Sequence, residues 1–83
     1  MTEEEQQIKL SSLASFKAYG EKAYDDMYEA HSPRDASVCY SDAKEAFYDA
    51  IRLAGELGLV DEVESLTKRL QHIKAVFRSQ FVQ

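Results

Sequence analysis

Apolar residues step through this chain in alternating threes and fours, and the stepping breaks at only two places. Leu10, Leu13, Phe16, Gly20, Ala23, Met27 and Ala30 form one series. Ala36, Tyr40, Ala43, Phe47, Ala50, Ala54 and Leu57 form a second. Val63, Leu66, Leu70, Ile73 and Phe77 form a third, with Phe81 one turn further on. An α-helix turns once in 3.6 residues, so each series lies on one stripe of a helix and must be hidden from water. The expectation is an all-α fold: an antiparallel three-helix bundle made by residues 1–83 as one helical domain. Short connections between the series make neighbouring helices antiparallel.

The helix ends are written in the breaks. Thr2 with Glu5 reads as a capping box, and Glu3 to Glu5 suit the positive end of the helix dipole. Ser32 followed by Pro33 reads as an N-cap with proline at the first helical position, where its missing N–H is not needed. Gly58 can take the left-handed conformation that ends a helix. Asp61 with Glu64 repeats the capping-box spacing, and Leu59 and Val60 are expected to pack over the helix end. These signals predict helices over about 3–30, 33–56 and 61–80, with the last residues, 80–83, fraying. Gly20 falls inside the first helix, which implies close approach of a neighbouring helix. The expected core is Leu13, Phe16, Ala23, Met27, Ala43, Phe47, Ala50, Ile51, Leu57, Leu66, Leu70, Ile73 and Phe77.

Charge limits the function. The 83 residues carry a formal net charge of −5, which argues against a general nucleic-acid binder, since those neutralise phosphates with Lys and Arg. Residues 65–83 nevertheless hold Lys68, Arg69, Lys74 and Arg78 and no acid. That basic third helix fits beside acidic neighbours, or offers a patch to an acidic partner or polyanion. Cys39 is the single cysteine, which excludes an intramolecular disulfide and suits a reducing cytoplasm. No apolar run approaches the about 20 residues of a membrane span, so no membrane partner is expected.

Chemical motifs are missing. His31 and His72 have no second ligand at metal spacing, and no glycine-rich phosphate loop precedes a helix. Ser11, Ser12 and Ser15 have no adjacent His to activate them. No catalytic residue, metal site or cofactor is assigned, and the chain is not read as an enzyme.

The stretch Phe16, Tyr19-Gly20, Ala23-Tyr24, followed by Ala43-Lys44-Glu45-Ala46-Phe47 and Ala50, resembles the tetratricopeptide repeat over about residues 16–58. Ala43, Phe47 and Ala50 stand at the family's spacing. Gly20 and Ala43 are farther apart than in a standard unit, Tyr19 stands where Leu is usual, and Gly55 stands where the terminal Pro is expected. The resemblance implies a helical hairpin with a capping helix and a protein-interaction role without catalysis. In a subtype that grips a C-terminal carboxylate, Lys17 would match a binding position, but Glu21 falls at an Asn position and would repel such a ligand.

Five tyrosines remain as the functional clue. Tyr40 lies on a core stripe, and Tyr19 and Tyr24 flank one. Tyr24 and Tyr28, one turn apart, can share a face, and Tyr48 lies further out. The leading expectation is a small non-catalytic protein–protein interaction or adaptor module, with Tyr24, Tyr28 and Tyr48 as partner contacts. The alternative is a homo-oligomeric helical subunit. Behind these stand a ligand-binding bundle and a weak nucleic-acid binder using the basic third helix.

Overall fold

The structure, a computed structural model, describes residues 2–81. Residues 1, 82 and 83, including the end of the expected frayed segment, lie outside the described residues. Three helices follow in order: α1 over Glu3–Glu29, α2 over Pro33–Glu56 and α3 over Val60–Gln80.

The predicted caps form at two of the three starts. Glu5 N–H donates to Thr2 Oγ1 at 3.1 Å, and Asp35 N–H donates to Ser32 Oγ at 3.1 Å. Pro33 opens α2, and Ala30 leaves α1 in an extended conformation. The third start differs. Gly58 takes φ +72°, the Leu59 N–H reaches Ala54 O at 2.9 Å, and the Gly58 N–H reaches Gly55 O at 3.1 Å. These two bonds satisfy the last carbonyls of α2 in a Schellman motif, after which α3 begins at once. Asp61 is therefore already helical rather than the cap, and no side chain caps α3. Its carboxylate, with Glu62, acts only through the helix dipole. Leu59 and Val60 do not pack over the helix end: they stay exposed, Val60 at 74%, because the turn is too short to fold them back.

Cross-helix contacts establish the topology. Lys9 meets Glu56, and Gly20 faces Phe47, so α1 and α2 are antiparallel. Tyr40 meets Phe77 while Tyr48 meets Lys74, so α2 and α3 are antiparallel. Lys17 meets Glu62, Glu21 meets Arg69, and Tyr28 meets Phe81, so α1 and α3 run the same way. α2 packs against both other helices, whereas α1 and α3 meet chiefly through long side chains. The result is an elongated, rather flat bundle of 47 × 19 × 12 Å.

Small residues let α1 and α2 approach. Ala23, Ala43, Ala50 and Ala54 are buried between larger Leu13, Met27 and Phe47. α3 adds Leu66, Leu70 and Ile73. Phe16, Ile51, Leu57 and Phe77, expected in the core, are only partly buried at its edge. Three helices of this width leave no second layer to cover them. The core also holds Tyr24, Ala36, Ala46, Leu53 and Ala54, which were not among the expected core residues.

Candidate functional site

Of the three sequence-selected tyrosines, Tyr24 and Tyr28 meet on one face of α1, as their spacing predicts, and Tyr48 stands apart on α2 against Lys74. Tyr24 is 7% exposed: the Arg69 guanidinium lies 5.0 Å over its ring, and His72 packs against it. α3 thus covers a ring that lies at the flank of the α1 stripe and leaves Tyr24 little surface for a partner. Burial, followed by the hydrogen bond to Tyr28, pushes its phenol up to about 12. Tyr28 is half exposed. Its hydroxyl shares a 3.0 Å hydrogen bond with that of Tyr24, and its ring stands edge-on to Phe81. Tyr48, also half exposed, lies on the far side of α3. Its hydroxyl accepts a 2.5 Å bond from Lys74 Nζ, which lowers the phenol's pKa. Tyr24 and Tyr28 therefore fasten α3 to α1, and Tyr48 fastens it to α2.

The basic third helix is similarly engaged. Arg69 makes a two-pronged bridge to Glu21, both bonds 2.8 Å. Lys68 pairs with Glu64, and Lys74 with Tyr48. Of the four cations expected to offer a polyanion site, only Arg78 has no such partner among the described residues. The Arg69–Glu21 bridge, with Lys17 and Glu62, also spans the seam between α1 and α3.

Besides depressions at the two ends of the bundle, an open surface lies along the side of the α1–α2 hairpin away from α3. There Phe16 and Tyr19 of α1 and Asp42, Glu45, Ala46 and Asp49 of α2 line a groove of about 230 Å³. Through Tyr19 and Asp42 it runs into a smaller depression of about 130 Å³ bounded by Lys22, Ala23, Asp26 and Cys39. Ala46, nearly buried, forms part of the floor, and Tyr19 stands on the rim at 54% exposure. Four carboxylates border this surface; Lys22 holds Asp26 at 3.0 Å and Arg52 reaches Asp49 at 3.6 Å, while Asp42 and Glu45 have no ion-pair partner among the described residues. Burial, then Asp26, Asp42 and Asp35, push the Cys39 thiol up, so it stays protonated rather than nucleophilic.

The sequence carried a signal for this face. Asp35, Val38, Asp42, Glu45 and Asp49 step by threes and fours along α2, a stripe acidic but for Val38 beside the apolar one, and Tyr19 follows Phe16 by three. Nothing in the spacing says which stripe α3 leaves open.

Among the described residues no group of three or more His, Cys, Asp or Glu side chains is placed to hold a metal ion. No polar or charged side chain is buried among them. No helix is long and apolar enough to cross a membrane among the same residues. No protein-family model, curated protein or solved structure matches this chain.

Proposed function

We propose that the protein is a small non-catalytic interaction module whose binding surface is the open face of the α1–α2 hairpin. The observation that carries this reading is the asymmetry of the hairpin. α3 covers one face and brings its own apolar stripe and cations to it. The opposite face keeps a groove with an aromatic rim and an apolar floor uncovered. Aromatic side chains at the rim of a groove are the usual anchors of protein recognition, because they bury much area with few rotatable bonds. On this reading Tyr24, Tyr28 and Tyr48 support the surface from behind by fixing α3. The tetratricopeptide resemblance favours the same class of function.

A photocrosslinking phenylalanine analogue in place of Tyr19, compared in cells with the same group in place of the exposed α3 residue Gln71, tests the proposal. Adducts with other proteins from position 19 and not from position 71 are expected. No adduct from position 19 overturns it. An adduct of twice the chain's own mass replaces it with the homo-oligomeric reading.

A further inference from the structure

Resting on the interaction-module reading, we infer that the open groove receives a basic amphipathic helical segment of a partner protein, about three turns long.

The groove dictates the chemistry. From Phe16 to Asp26 its α1 wall runs ten residues, about 15 Å at 1.5 Å per residue. An apolar stripe can lie on Phe16, Ala46 and the inner edge of Tyr19. Asp42, Glu45 and Asp49 then stand at one rim, one turn apart, where Lys or Arg of the guest would reach them. The exposed face of Tyr19 is open to a guanidinium or ammonium. Helix-in-groove recognition has this layout, with apolar anchors at the centre and charges at the edge setting orientation.

The molecule contains its own precedent. α3 is a helix with an apolar stripe, Leu66, Leu70 and Ile73, and with no acid after Glu64. It lies on the other face of the same hairpin, gives Arg69 to Glu21 and stacks that guanidinium on Tyr24. It also gives Lys74 to the hydroxyl and ring of Tyr48. The acid-free part of α3 thus covers one face of the hairpin by giving cations to an acid and to tyrosines, while its first turn gives Glu62 to Lys17. The open face presents the same two groups, uncovered.

A second copy of this chain offers few cations for it: among the described residues only Arg34 and Arg78 have no acid or ring partner, and they stand on different helices rather than along one stripe. Its Lys9, Lys17, Lys22, Arg52, Lys68 and Arg69 are held by acids of the same chain. Lys44 lies over Tyr40, and Lys74 over Tyr48. The raised pKa of the Cys39 thiol, caused by burial and then by three nearby aspartates, agrees with a negative potential over the groove.

The probe is a labelled synthetic helix of Lys and Leu about three turns long, with a second in which Glu replaces every Lys. Fluorescence anisotropy is expected to show binding of the Lys helix, weakened by salt. The triple variant D42N/E45Q/D49N should bind it about tenfold more weakly, as three rim ion pairs of modest strength imply. The triple variant E3Q/E4Q/E5Q, which removes equal charge far from the groove, should change affinity by less than about twofold. A cooperative melting transition well above the assay temperature establishes that each variant is folded. Equal weakening by the two triples overturns the inference, because the attraction is then unspecific. Binding of the Glu helix as tight as the Lys helix, or of neither, also overturns it. Crosslinks from position 19 that persist in either case leave the interaction-module reading standing and remove only the basic partner.

Discussion

Gly20 lies against the face of Phe47 so closely that a Cβ on Gly20 would stand 2.8 Å from Phe47 Cε2 and 2.9 Å from Cδ2. The contact joins the middle of α1 to the middle of α2. It accounts for a glycine in α1 where Ala would favour the helix by about 1 kcal/mol. Phe47 is 1% exposed, so its ring has nowhere to retreat. Gly20→Ala is therefore expected to destabilise the protein by about 1–3 kcal/mol, the range for overpacking. Urea unfolding measures it. The double variant Gly20→Ala/Phe47→Leu should recover part of the loss, and additive losses would refute the steric account.

Phe47 is among the largest fully buried side chains. Phe47→Ala should lower stability by about 3–5 kcal/mol through lost transfer energy and the cavity left behind. For a chain of this size that is most of its stability. A calorimetric scan showing an ordinary cooperative transition near the wild-type temperature would place the centre of the core elsewhere.

Gly58 holds φ +72° with open space around it. A side chain meets no neighbour there, so Gly58→Ala isolates the backbone strain, about 1 kcal/mol. Chemical denaturation should show that loss, while Gly55→Ala, in the last turn of α2 and also in open space, should be neutral or stabilising. The reverse order would mean that the Schellman turn does not set the start of α3.

Arg69 and Glu21 are both part exposed, 39% and 44%. Despite two 2.8 Å bonds, solvent screening limits their coupling to about 0.5–1 kcal/mol in a double-mutant cycle of Glu21→Gln and Arg69→Gln. The coupling should fall when salt is raised. A salt-independent value would mean that the pair acts by packing Arg69 on Tyr24 rather than by charge.

Tyr24 is held neutral by its surroundings, with its phenol raised from 10.0 to about 12. The folded pKa exceeds the unfolded one, so the stabilisation is complete below pH 10 and is lost as pH rises through about 12. Alkaline unfolding should begin earlier in the wild type than in Tyr24→Phe when each is referred to its own stability at pH 8. Matching pH profiles would show that Tyr24 ionises freely and is not enclosed by α3.

How much of this was legible in the sequence follows from how local each signal is. Ser32-Pro33 and Thr2-Glu5 act over a single turn, and both N-cap bonds form, Thr2 making the hydroxyl half of its capping box. The position of α3's start was misjudged by one residue because Asp61 offered a cap that the Gly58 turn made unnecessary. Gly20 indicated a close approach, but only the packed hairpin shows that Phe47 is what approaches. The tyrosines carry no local signal that tells a covered ring from an open one. Tyr19 and Tyr24 both flank the α1 stripe, and one is half exposed while the other is buried. The difference is that α3 sits on the Tyr24 side.

Period and punctuation by themselves determined that this chain makes three helices, where each begins and ends to within a residue or so, and which stripe of each faces inward. These are properties of one helix at a time, governed by 3.6-residue geometry and by caps a few residues long. Only the tertiary structure decided that α2 is the middle helix, that the cations of α3 are engaged within the fold, and that the acidic stripe of α2 beside Tyr19 is left open. Those outcomes depend on which of two similar faces of the hairpin α3 covers. That choice is made by contacts between residues some fifty positions apart, such as Glu21 with Arg69, and no local pattern records it.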